Sequence, residues 1–369
     1  MKKLKIDKLY LFSLLISIIV ALVIGAILMI ITGYNPILGY KAMLKGALGS
    51  PRVFGNMCAK ALTLCLTGLA TAVGARAGLF NVGGEGQLFL GGLAGTMVGV
   101  WCCNLPPILA IPLAFIVSAA VGGFYAWIPA VLKVKLKVNE VITTIMLNSA
   151  AIYFCTWLCN GPLKTTQKGV LAGTDAVAEA FRFSKLIPKS NLTTAILYGA
   201  VIAFFVWYIM QKTSVGLEMK VTGENARFSF FSGLPKDKIM IWSMVASGAI
   251  CGLVGMFEVY GIQGRFLETI SNDYYFDGML VAMIMNYSPI GIMIMSFFFA
   301  ILDVGASSME LSTGISGEIS DIIFAVIIFL MAAEGGISKA LKAKMVQKKA
   351  KERIRKEAEQ NVGTIGTDI

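Results

Sequence analysis

Long apolar runs separated by short polar or glycine-rich gaps dominate this chain. A helix that crosses the hydrocarbon core of a bilayer needs about 20 apolar residues. By that criterion the pattern predicts about ten spanning segments: 9–31, 56–75, 87–103, 107–132, 139–159, 193–211, 239–261, 278–288, 290–305 and 319–337. The eighth and ninth are short and are divided by Asn286-Tyr-Ser-Pro-Ile-Gly291. They read as a hairpin of tilted helices or as a partly re-entrant pair. The expected fold class is an all-α integral membrane protein.

One gap stands out. Ala77-Gly-Leu-Phe-Asn-Val-Gly-Gly-Glu-Gly-Gln87 places a carboxylate and two amide side chains between two apolar segments. An uncompensated charge at bilayer depth costs roughly 2.5 kcal/mol or more, so such a residue marks either a pathway or a packing lock. The glycines permit irregular backbone, which a membrane tolerates only where protein or water covers it. A fainter counterpart, Asn272-Asp-Tyr-Tyr-Phe-Asp277-Gly278, opens a later apolar run. In the predicted topology the first gap lies inside and the second outside, as in inverted repeats whose broken helices meet near a transport pathway.

Composition supports the membrane reading. Of 369 residues, 57% are hydrophobic and 14% charged, with a mean hydropathy of +0.76; a soluble chain carries about 25% charged residues. The net charge of +11 does not indicate a nucleic-acid partner, because the basic residues sit mostly in gaps between apolar runs. With an inside N-terminus, 22 of the 32 Lys and Arg fall on inside segments, nine of them in the tail after Ser338. The positive-inside rule then puts both termini in the cytoplasm. The expected layout is a basic N-terminus at 1–8, a transmembrane domain at 9–338 and a basic tail at 339–369. The first span reads as an uncleaved signal anchor. Within the domain, 160–192 forms an outside loop with a short amphipathic piece at Ala176–Phe183. Residues 212–238 form the largest inside loop, half apolar and half charged, which needs a surface to lie against, either lipid or a cytoplasmic partner.

Several chemistries are excluded or disfavoured. The chain has no histidine, and its seven cysteines lack CxxC pairing, so no metal site is expected. The glycine run lacks the Gly-x-x-x-x-Gly-Lys-Ser/Thr pattern, so ATP, if used, is hydrolysed on another polypeptide. No catalytic residues are assigned. Gly91, Gly95 and Gly99, like Gly248 and Gly252, recur every four residues and read as helix-packing stripes. The polar residues within spans are the substrate-pathway candidates: Asn81, Glu85, Gln87, Asn139, Glu140, Asn148, Asp277 and Asn286, with Glu258 and Asp303 near span ends. Their amide-rich character suits a neutral polar solute better than an ion. For Asn81, Glu85 and Gln87 two roles stand open, facing the solute or holding the break in place, and the second is preferred.

The stretch Ala77–Gln87 resembles the signature of permease subunits of bacterial ABC importers in the branched-chain amino acid/ribose/nucleoside superfamily. It is most similar to the nucleoside branch, which pairs with lipoproteins of the basic membrane protein type. Supporting matches are Asn139-Glu-Val-Ile-Thr-Thr-Ile-Met-Leu-Asn148, Phe276-Asp-Gly-Met-Leu-Val-Ala282 and Asn286-Tyr-Ser-Pro-Ile-Gly291, and the resemblance runs from about Tyr34 to Gly336. It implies a vitamin-B12-importer-like helical fold and no cofactor on this chain, with ATP and Mg used by partner ATPase subunits. It further implies a second permease of the same family as heterodimer partner, an extracytoplasmic substrate-binding lipoprotein, and a bacterial cell-membrane location. The segment Gly223-Glu-Asn-Ala-Arg-Phe-Ser-Phe-Phe-Ser-Gly233 is similar to the family's ATPase-coupling segment, so Gly223, Glu224, Asn225, Arg227, Phe228 and Gly233 are its expected coupling residues. Phe228 and Ser229 depart from the two alanines usual there. The implied function is nucleoside import. The alternatives are import of a simple sugar or a branched-chain amino acid, and, from another class, a self-contained secondary transporter.

Overall fold

The structure, a computed structural model, describes residues 8–167 and 172–314 together with 322, 325, 326 and 329. Residues 1–7, nearly all of the expected span at 319–337 and the basic tail fall outside it. The chain divides into two units, Tyr40–Gly314 and a second that combines Met1–Gly39 with Ile315–Ile369. Of the second unit the structure describes α1, Lys8–Ile31, an uninterrupted apolar helix. The described residues contain no strand, only two isolated bridges.

After α1 come α2 (Pro36–Leu48), α3 (Pro51–Arg76), α4 (Gly84–Trp101), α5 (Pro107–Leu136) and α6 (Glu140–Asn160). They are followed by α7 (Ala195–Lys212), α8 (Ser214–Glu224), α9 (Ala226–Phe231), α10 (Lys236–Glu258), α11 (Tyr274–Ile284) and α12 (Pro289–Thr313). Local sequence sets several of these boundaries. Ser50 caps α3, its hydroxyl accepting from the Val53 amide at 3.4 Å, and Pro51 supplies the preset first turn. Asn139 caps α6 and Thr213 caps α8 in the same manner.

Among the described residues six helices are long and apolar enough to cross a membrane: α3, α5, α6, α7, α10 with its π-turn to Gln263, and α12. Shorter apolar stretches are Ile19–Ile31 and α11. The protein is a multi-pass membrane protein. α3 is its central helix, with 83% of its most apolar window buried against 22% for α6. It packs against α7, α10, α11 and α12. A second nucleus joins α4, α5 and α10, where glycines bring backbones into contact. A Cβ on Gly91 would strike the Gly252 backbone, and one on Gly122 or Gly248 would strike the other's carbonyl. These glycine stripes act as packing surfaces, as their spacing predicts.

Two segments differ from the sequence reading. α2 forms where no helix was marked, held by Met43 against Gly305 and by Gly46 against Ser308. Conversely, the expected amphipathic piece at 176–183 shrinks to one 3₁₀ turn, Glu179–Phe181. Its backbone groups are used elsewhere: the Val177 amide donates to Gly264 O and the Phe183 amide to Tyr260 O. With its amide spent on Tyr260, Phe183 cannot close a further helical turn.

Candidate functional site: a buried polar layer where two helix starts meet

The segment 77–83 leaves the end of α3 and returns, without helix, towards the middle of the bundle. Gly78, at φ +81, lies 3.2 Å (as a would-be Cβ) from the Gly223 Cα in α8, at one end of the spans. Asn81 reaches Ser247, about three turns into α10. The extended backbone covers this depth quickly, at about 3.3 Å per residue against 1.5 Å in a helix. The polar break therefore does not stay at the helix ends, where the charge pattern had placed it. It carries the start of α4 into the interior.

There the amides close on themselves. Asn81 Nδ2 donates to Gln87 Oε1 at 2.8 Å and to Ser247 Oγ at 3.0 Å. Asn81 Oδ1 accepts from Gln87 Nε2 and from the Gly83 amide, each at 3.1 Å. An Asn side chain offers two donors and two acceptor sites, so every one is occupied. Asn81, Gln87 and Glu85 are 0%, 1% and 3% exposed. Neighbouring α6 supplies the caps that α4 lacks in its own sequence: Thr144 Oγ1 accepts from the Val82 amide at 3.3 Å, and Asn148 Oδ1 accepts from the Gly86 amide.

The second break arrives from the other end. Residues 264–267 pair with the 160–192 loop through Val177 N to Gly264 O and Thr174 N to Phe266 O, both 3.0 Å. The chain then dips to α11, whose first residue, Tyr274, accepts through its carbonyl from Thr67 Oγ1 at 3.2 Å, in the interior of α3. The two helix starts touch. Glu85 Oε2 accepts from the Tyr275 amide at 2.9 Å, and the Tyr275 hydroxyl donates to the Asn81 carbonyl. A carboxylate from the first turn of α4 thus caps the first turn of α11, where the helix dipole also favours negative charge.

Other predicted residues lie elsewhere. Asn139 is a helix cap, accepting from the Val141 amide at 2.9 Å, and Glu140 pairs with Lys133 at 2.7 Å. Neither joins the central layer. Asp277 sits in the first turn of α11, and Asn286, at φ +47, is exposed in the turn before α12. Beside the start of α11, Lys60 bridges to Asp303 at 2.7 Å and lies 4.1 Å from the centre of the Tyr274 ring. Thr63 donates to Glu258 at 2.8 Å.

At the opposite end, α8 and α9 fold against each other. The Thr222 and Ser229 hydroxyls bond at 3.0 Å, and Asn225 caps α9 by accepting from the Arg227 and Phe228 amides. Phe228, Phe230 and Phe231 are 59%, 61% and 83% exposed, an apolar patch of the kind that marks an interaction surface. Glu224 and Arg227 border it and are exposed, while Gly233 turns at φ +77. Gly223, itself exposed, has no room for a side chain: a Cβ there would meet the Arg76 carbonyl and stand 2.9 Å from the Gly78 nitrogen. The segment is thereby seated on the root of the first break.

Comparison with known proteins identifies the family. The family model described as "Branched-chain amino acid transport system / permease component" matches residues 53–332. The chain belongs to this family. Among similar proteins, the nucleoside ABC transporter permease protein NupB of Lactococcus lactis subsp. cremoris is 34% identical over 354 residues, covering 94% of this chain and 96% of that one. The guanosine ABC transporter permease protein NupP of Bacillus subtilis is 32% identical, with coverage of 88% and 93%. The glucose ABC transporter permease protein TsgB13 of Haloferax volcanii is 32% identical, covering 86% of each. No solved structure matches the chain.

Sequence reasoning missed several residues of this permease's central layer. Thr63, Thr67 and Thr71 form a stripe every four residues along α3, a readable signal. Tyr275 lies within a quoted stretch, yet nothing in its neighbours announces that it is fully buried. Ser247 is one small residue beside a glycine stripe, and only the fold distinguishes it.

Proposed function

We propose that this permease is the membrane-spanning subunit of an ATP-driven importer that moves nucleosides, or a related sugar-containing solute, into the cytoplasm. The observation that carries the reading is the near full-length similarity to NupB, joined to similarity with NupP. The likeness to TsgB13 keeps a simple sugar as the second reading. About ten spans in a vitamin-B12-importer-like fold complete the picture, with α1, α4, α11 and the segment 319–337 added to the six long apolar helices. Both termini are cytoplasmic, and the substrate-binding lipoprotein meets the opposite face.

In this reading the chain hydrolyses nothing. ATP and Mg act on separate ATPase subunits, which dock on the phenylalanine patch bordered by Glu224 and Arg227. A second permease of the family completes the pore. Asn81, Glu85, Gln87 and Asn148 hold the two helix starts together, since the hydrogen-bonding capacity of Asn81 is already used. Closure of the ATPases moves α8 and α9, and Gly223 passes that movement to Gly78 and the segment carrying Asn81.

Uptake of radiolabelled uridine, adenosine, glucose and leucine by the assembled transporter in vesicles tests the substrate. Uridine or adenosine should accumulate, whereas accumulation of leucine alone would defeat the proposal. Charge reversal at Glu224 or Arg227 should lower uptake per ATP hydrolysed while the complex still assembles. Unchanged coupling would remove these residues from the docking site.

A further inference from the structure

An apolar groove of about 400 Å³ runs between α7 and α10, with α3 and α8 closing its sides. Val206, Met210, Met219, Ile239 and Ile250 line it, and Lys238 is its one charged lining residue. From Lys238 to Ile250 the groove follows α10 for about 18 Å at 1.5 Å per residue. That is close to one leaflet, half of a hydrocarbon core of about 30 Å. Its inner end reaches the level of Ser247 and the central polar layer, and its mouth opens beside α8. Trp242, 68% exposed, stands at the mouth, a position suited to a ring at the lipid headgroup boundary.

The segment 212–238 carries four lysines, and they are not equivalent: Lys220 pairs with Glu224 at 3.6 Å. Lys212 lies over the Trp207 ring and Lys236 over the Phe230 ring. Lys238 is exposed and, among the described residues, has no carboxylate within ion-pair distance. We propose that this groove holds an acyl chain of an anionic phospholipid, whose headgroup phosphate rests on Lys238. The pairing of a leaflet-deep apolar slot with a cation at its mouth matches the two halves of such a lipid. Basic pockets between spans bind anionic headgroups by the same physics. Because Val215 and Met219 of α8 form one wall, the bound chain buttresses the coupling segment against α10. Lipid composition thereby tunes how firmly α8 is seated.

The test uses the complete transporter, exchanged into phosphatidylcholine vesicles with or without phosphatidylglycerol and then analysed by native mass spectrometry. Wild type should retain phosphatidylglycerol, and Lys238→Ala should retain it about fivefold more weakly, the factor expected for one lysine near a membrane surface. Ala246→Trp, which fills the slot while keeping Lys238, should abolish retention. Ala246→Leu serves if the larger side chain prevents assembly. Excess inorganic phosphate should not displace the lipid. Equal retention in wild type and both variants overturns the proposal, as does displacement by phosphate alone, which indicates a free-anion site. Cross-linking of Ala246→Cys to residues 315–369 or to the partner permease in lipid-free complex also overturns it, since a helix then fills the groove.

Discussion

The two helix breaks do the same job with different chemistry. The first, at 77–87, is rich in amides and anchored beside α8, where Gly78 and Gly223 leave no space between them. The second, at 264–278, is anchored by backbone pairing to the outer loop and contributes one buried tyrosine. Each break is anchored at a different end of the helices, and they join through Glu85, Asn81 and Tyr275. The difference teaches where a signal can enter. Movement of α8 reaches the first break directly, whereas movement of the 160–192 loop reaches the second.

This contrast can be broken at its joints. The largest effect is expected from Gly84→Val, because even a Cβ at Gly84 would lie within the Tyr275 ring. Overpacking of this kind costs about 1–3 kcal/mol and more where the neighbour cannot yield. The variant should fail to assemble or lose most uptake, and wild-type melting of the purified complex would refute the tight joint. Glu85→Ala comes next. It leaves the buried Tyr275 amide without an acceptor, a loss of about 1–3 kcal/mol, visible as a lower melting temperature, and Glu85→Gln should restore much of it. Tyr275→Phe removes only the hydroxyl bond to Asn81 and should cost about 1 kcal/mol. Gly223→Ala probes the inner anchor. It should leave assembly intact but reduce uptake per ATP hydrolysed, while an outer-loop variant at Val177 should not. The smallest effect belongs to Glu140→Gln, which breaks a partly exposed pair with Lys133 worth about 1 kcal/mol at most. A shift in melting as large as that of Glu85→Ala would mean that Glu140 does more than pair.

Much of this was legible in advance, for physical reasons. Apolar run length marked every span that the structure describes, and the glycines at 83–86 marked the first break. The meeting of the breaks was not legible, because Glu85 and Tyr275 are 190 residues apart in sequence and nothing local encodes their contact. The depth of the break was misjudged because extended backbone covers distance faster than helix. α2 escaped notice because Ile37, Leu38, Leu44 and Leu48 stay exposed, leaving no clean apolar stripe. Among the candidate residues, type alone could not separate the capping Asn139 from the interlocked Asn81.

The facing helix starts also have an electrical meaning. Each N-terminus contributes roughly half a positive elementary charge, so α4 and α11 together place about one unit in the interior of the bundle. The Glu85 carboxyl lies between them, its Oε2 accepting from the Tyr275 amide. The two helix starts and the carboxyl between them thus form one electrostatic unit. Removing the carboxyl, as in Glu85→Ala, leaves two helix N-termini facing each other with no counter-group between them.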